Sequence, residues 1–127
     1  MTILVDTSVM IDHLRGHEGA RAALGTARTS GERLLASVLT KIEVLAGVRD
    51  GEERATQALL RVFEWIAVDD DLAERAGAMA QAFVRSHPGV DPVDYAIAAT
   101  AERFEAELWT RNLKHFPMLP ELTEPYA

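Results

Sequence analysis

The sequence contains no cysteine, which excludes disulfides and thiolate metal sites and leaves His, carboxylate, carbonyl and hydroxyl groups as the possible ligands. Any metal bound here should be hard. Long apolar runs are missing too: Asp6 and Asp12 interrupt the N-terminus before a signal-peptide core forms, and no later stretch approaches the ~18 apolar residues of a membrane span. The expectation is a soluble, cytoplasmic protein with no membrane contact. Basic charge is in deficit, with 13 Lys and Arg against 20 Asp and Glu for a net charge of −7. That balance excludes a protein that coats nucleic acid through a broad basic field. It still permits RNA contacts through a few arginines beside a metal-neutralised site, and it leaves room for a basic protein partner. Repeats, linkers and low-complexity segments are absent, so residues 1–127 read as one domain, long enough to bury roughly two-thirds of its unfolded surface.

What is present is an alternation of short apolar runs and helix-prone segments. Ile3-Leu4-Val5 reads as a buried strand ending at Asp6, Leu34 to Val38 as a second, Trp65 to Val68 as a third and Leu108 to Thr110 as a fourth. Between them, helices are expected over Val9–Leu14, Glu18–Ala27, Thr40–Val48, Glu52–Glu64, from the Asp69-Asp70-Asp71 cap through Phe83, and Val93–Glu105. Pro117, Pro120 and Pro125 suggest an extended tail along the surface. Short strands separated by helices pair in parallel through right-handed crossovers, which predicts an α/β fold: a three-layer α/β/α sandwich around a central parallel sheet. Ligands of such sheets bind beyond the carboxyl ends of the strands.

Several acids are expected at that edge. Asp6 follows the first strand directly; it either serves the site or caps the next helix, a task for which Ser8 is better placed. Glu43 lies in Thr40-Lys41-Ile42-Glu43, a capping-box pattern, but its helix starts right after a strand and so at the same edge. In Asp91-Pro92-Val93-Asp94, Asp91 precedes a helix-starting proline and reads as the N-cap. Asp94 is then the better ligand, in a first turn whose dipole favours its ionised form. Asn112, after the fourth strand, either caps Leu113–Phe116 or offers a carbonyl to a metal or its water. Thr7 and Thr110 are polar candidates at the same edge. Carboxylates gathered this closely repel, and a divalent cation offsets the charge; oxygen-rich ligation points to Mg²⁺ or Mn²⁺.

The runs Ile3-Leu4-Val5-Asp6-Thr7-Ser8-Val9, Leu39 to Gly47, Asp94 to Ala101 and Thr110 to Phe116 together resemble the four motifs of PIN-domain nucleases, in the order and spacing of VapC-type toxins of type II toxin–antitoxin pairs. The resemblance covers nearly the whole chain. It implies a PIN fold and a Mg²⁺-dependent endoribonuclease, with Mn²⁺ as a substitute, that leaves 5′-phosphate and 3′-hydroxyl ends. On this resemblance Asp6 and Asp94 are the principal metal-binding acids, Glu43 the second-motif glutamate, and Thr7 and Asn112 supporting polar positions. The last motif of the family often carries an acid at the position of Asn112 or of His115; neither is acidic here, so a second metal is expected to depend on substrate phosphate. The implied partners are RNA and a VapB-like antitoxin, the latter blocking the site with an arginine and resting near Val44, Leu45 and Val48, in a homodimer or hetero-oligomer. Arg15, Lys41, Arg111 and Lys114 are the nearest candidates for phosphate contacts. His13 and His115 read as surface or capping residues, and Trp65 and Trp109 as core. Two rival functions are a haloacid dehalogenase-like phosphatase or phosphotransferase, which usually needs an acid where this chain has Ser8, and a non-catalytic binding module whose acids are only helix caps.

Overall fold

In the computed structural model, which describes residues 1–127, the apolar runs form one parallel sheet of β1 (Thr2–Val5), β2 (Arg33–Ser37), β3 (Glu64–Ile66) and β4 (Glu107–Trp109). Their spatial order is β3-β2-β1-β4. Six helices connect them: α1 (Thr7–Leu14), α2 (Glu18–Thr29), α3 (Val38–Ala46), α4 (Glu53–Leu60), α5 (Asp70–Phe83) and α6 (Pro92–Arg103). The chain steps outward from β1 to β2 and β3 through α1–α4, then returns past β1 to reach β4 through α5 and α6. Right-handed crossovers in opposite directions put their helices on opposite faces of the sheet. The expected three-layer α/β/α sandwich results.

Strand periodicity sorts the core between the two faces. Ile3 and Val5 of β1 join Leu34 and Ala36 of β2 against Val9, Met10, Leu24 and Leu59 on the α1–α4 side. Leu4, Leu35 and Leu108, which lie side by side across three strands, pack instead on Ile97, Ala98 and Ala101 of α6. The α5 residues Leu72 and Ala76 cluster with Tyr95 and Ala99 of α6, and Ile66 of β3 packs against the same cluster.

Element ends differ from expectation where tertiary contacts override local signals. α1 begins at Thr7 and not Val9, while α3 begins at Val38, capped by the Ser37 hydroxyl, which accepts from the Leu39 amide at 3.2 Å. β3 covers Glu64–Ile66, stopping short of Val68. Helix α6 stops at Arg103, and Glu105 adopts a left-handed φ of 50° that turns the chain into β4. The proline-rich tail does not lie loosely on the surface. Phe116 is buried, Met118, Leu119 and Leu122 pack on the α6 side of the sheet, and Tyr126 packs on the opposite side, because apolar residues between the prolines have core to cover. No helix is long and apolar enough to cross a membrane.

Candidate active site at the β1/β4 crevice

Strand order reverses at β1, so the crevice between β1 and β4 is the place where an open α/β sheet presents its carboxyl edge to a ligand. Asp6 stands there. Its amide donates to the Trp109 carbonyl at 2.9 Å, which extends the β1–β4 pairing by one residue into the site. The side chain, only 8% exposed, accepts from the Thr110 hydroxyl at 2.7 Å and, more weakly, from the Ser8 hydroxyl at 3.5 Å, both on Oδ2. Although the Asp6 backbone occupies the N-cap position of α1, its carboxylate makes no capping bond. Ser8 does not cap either. Its hydroxyl accepts the Arg111 amide at 3.0 Å, so this serine ties β4 to the start of α1. Thr110 likewise accepts the Asn112 amide at 3.0 Å.

Burial pushes the Asp6 carboxyl above its ordinary range, against the Thr110 hydrogen bond, and the nearby charge of Glu43 adds to the rise. No ion pair with Lys, Arg or His relieves it. Asp94 shows the same tendency. Burial pushes its carboxyl up, the Asp91 amide and His115 pull it down, and the charges of Asp91 and Asp6 push up again. Asp91 and Asp94 form a reciprocal capping box, with Asp94 amide to Asp91 Oδ1 at 3.0 Å and Asp91 amide to Asp94 Oδ2 at 3.1 Å. His115 Nδ1 lies 3.5 Å from that same Oδ2, which brings a residue read as surface or cap to the edge of the site.

Glu43 is released from the structural role its motif suggested. Because α3 starts two residues before Thr40, that threonine is fully buried inside the helix and the Thr40–Glu43 box does not form. Glu43 Oε1 instead accepts the Thr7 hydroxyl at 2.7 Å, joining α3 to α1. Asn112 occupies the N-cap position of the short 3₁₀ turn Leu113–His115, but its side chain makes no capping bond.

The remaining candidates separate clearly. Arg15 is paired with Glu52 at 3.0 Å, and the Lys41 ammonium sits 4.5 Å above the Trp65 ring, so both are occupied away from the acids. Arg111 and Lys114 line a 310 Å³ cavity with Asn112 and His115, the last of which lies 3.5 Å from Asp94. The indole of Trp65 donates to the Leu60 carbonyl and meets Phe63 edge-on, and Trp109 packs on the core, as core residues do. His13 is half-buried; burial lowers its pKa, with Arg21 adding to the effect. Val44 is fully buried and belongs to the core, whereas Leu45 and Ile42 on the same helix are exposed.

As they stand, no three His, Asp or Glu side chains converge closely enough to form a metal-ligand set. The donor chemistry nevertheless fits a hard cation: a buried carboxylate without a cationic partner, two further carboxylates near enough for their charges to act across the site, and the Thr110, Ser8 and Thr7 hydroxyls bonded to Asp6 and Glu43.

The PIN domain family model matches residues 3–118. The chain belongs to the PIN-domain family. Among its relatives, Ribonuclease VapC19 of Mycobacterium tuberculosis is 44% identical over 97% of this chain and 98% of its own, and Ribonuclease VapC10 of the same organism is 42% identical over 98% and 93%. In structure, the PIN domain here superimposes on a chain of a toxin–antitoxin complex from Klebsiella pneumoniae with a TM-score of 0.81, at 32% identity and 98% coverage of both. It is thus a VapC-type PIN domain, and PIN-domain ribonucleases in general depend on a divalent metal.

Proposed function

We propose that this VapC-type PIN domain is a Mg²⁺-dependent endoribonuclease, the toxin of a VapBC-like type II pair, and that Asp6, Asp94, Glu43 and Asn112 carry its chemistry. The observation that carries the reading is the Asp6 carboxylate: buried at the β1/β4 crevice, fixed by two hydroxyls from opposite ends of the chain, and left without a cationic partner.

Asp6 and Asp94 would hold the cation, with Asn112 offering its carbonyl to it or to a bound water. A divalent ion in this position lowers the pKa of water and offsets charge on the phosphoryl group. Glu43, oriented by the Thr7 hydroxyl, accepts a proton from the attacking water, and Asp6 keeps its alignment through Thr110 and Ser8. Attack in line with the P–O3′ bond breaks that bond, the departing 3′ oxygen takes a proton from solvent, and the products are a 5′-phosphate and a 3′-hydroxyl. Mn²⁺ is expected to replace Mg²⁺.

The test is cleavage of RNA by purified protein with Mg²⁺, with Mn²⁺ and with excess chelator. Cleavage should require metal and vanish in Asp94→Asn with the circular dichroism spectrum retained. Undiminished cleavage in chelator would remove the mechanism, and an inactive Asp91→Asn beside an active Asp94→Asn would reverse the assignment between those two residues. A VapB-like partner that places an arginine between Asp6 and Asp94 should inhibit cleavage, and a co-expressed antitoxin that binds without inhibiting would contradict that arrangement. Light scattering on the free protein and on the complex reads the expected homodimer and hetero-oligomer.

A further inference from the structure

Arg111 follows Thr110 at the exit of β4, and its guanidinium is gripped from two sides. It lies over the Tyr126 ring, 4.8 Å from the centroid, and its Nη1 stands 3.6 Å from Asp12 Oδ2. The Tyr126 hydroxyl donates to that same oxygen at 2.7 Å. Burial, then the hydrogen bond and charge of Asp12, push the Tyr126 phenol above its ordinary value, so it stays protonated and remains a donor at neutral pH. Tyr126 is wedged in its turn. The His17 ring stands 5.1 Å away, and a Cβ at position 19 would come within 3.0 Å of the Tyr126 ring, so Gly19 leaves the space it needs. The Arg111 backbone is fixed as well, by its amide bond to Ser8.

Beyond this clasp, Arg111 opens onto the 310 Å³ cavity that it lines with Asn112, Lys114, His115 and Glu124. That cavity borders the acids, since His115 touches Asp94 and the residue preceding Arg111 holds Asp6. Arg111 Nη1 is buried with no hydrogen-bond partner, because 3.6 Å is too long for a bond to Asp12. That atom is turned to the Asp12 carboxylate and is closed to solvent, whereas the Arg111 side chain as a whole is 31% exposed, so its other N–H groups are the ones that can take an anionic oxygen from the cavity. Lys114 supplies a second positive charge, and Glu124 is the one carboxylate in the lining.

We propose that Tyr126 and Asp12 are positioning residues that hold Arg111 to receive an RNA phosphate next to the scissile one, in the cavity at the exit of β4; the inference rests on the ribonuclease reading. A guanidinium stacked and tethered in advance loses less freedom when the phosphate arrives. The residues that read as the end of a surface tail thereby become part of the substrate site.

The test measures binding of a labelled, mixed-sequence single-stranded RNA by fluorescence anisotropy across a salt series, in an Asp94→Asn background that does not cleave. Arg111→Ala should weaken binding about tenfold and reduce the log–log salt slope by about 0.7, the loss of one phosphate contact on a single strand. Tyr126→Ala should weaken it at least threefold, and adding Tyr126→Ala to Arg111→Ala should cause little further loss, because the two act through one contact. Tyr126→Phe and Asp12→Asn, which preserve packing, should fall between parent and Tyr126→Ala. Arg15→Ala removes the same charge from a guanidinium held by Glu52 and should leave the slope unchanged. Parental affinity and slope in Arg111→Ala would overturn the inference, as would independent, multiplying losses from Arg111→Ala and Tyr126→Phe. If the unsubstituted protein cleaves total cellular RNA with metal while those results appear, the clasp fails alone. If it cleaves no RNA with any divalent metal, both readings fall.

Discussion

Asp6 is an expensive residue in the folded protein without metal. An acid whose folded pKa is raised binds protons more tightly folded than unfolded, so its ionisation weakens the fold as pH climbs through the interval between the two values. Asp6 and Asp94 both have this sign. Metal-free protein should therefore gain stability as pH falls through the interval between the raised and the ordinary carboxyl values, and Asp6→Asn should melt higher than the parent at neutral pH by about 3 °C, the shift of ~1 kcal/mol in a domain of this size. Differential scanning calorimetry in chelator decides it, and a lower melting point for Asp6→Asn would contradict the uncompensated burial. Thr7→Val removes the donor that orients Glu43 and should lower the cleavage rate about tenfold with metal affinity unchanged, read by titration calorimetry beside single-turnover kinetics. The sequence pointed to Asp6 because the residue ending a buried strand lies at a known edge. It left Glu43 ambiguous because a capping box is a local pattern. Only the tertiary burial of Thr40, invisible locally, removes that structural role.

Helix ends show how neighbours shift local signals. The Asp91-Pro92-Val93-Asp94 start was legible because both capping partners lie within one turn, and the box forms. Asp91→Ala should cost about 1 kcal/mol by removing its half. The earlier start of α1 was not legible, since Ser8, the better-placed cap in the sequence, bonds across the sheet edge to a residue 103 positions away. At the other end of α6, Glu105 takes a left-handed conformation that glycine adopts without strain. Glu105→Gly should therefore stabilise by about 0.5 kcal/mol, the relief of strain less the extra freedom gained by the unfolded chain. Urea denaturation checks both substitutions, and a stability loss in Glu105→Gly would show that the Glu105 side chain contributes more than its backbone costs.

At the scale of the molecule, alternating strands and helices dictated the layers, and handedness dictated which helices share a face. Absent from the local pattern was the tail, whose prolines suggested an extended surface segment while its apolar residues found core on both sides of the sheet. Divalent metal should raise the melting temperature at neutral pH as it binds the folded state, and the increment should shrink on acidification as protons compete for the same carboxylates. An increment independent of pH would place the metal elsewhere.

The bond from Thr110 to Asp6 joins residues 104 positions apart. During synthesis, then, the first acid of the site waits for about a hundred further residues before its partner strand arrives. A nascent fragment that stops before β4 carries Asp6, Glu43 and Asp94 but not the crevice between β1 and β4, so the candidate site can assemble only once β4 has been made.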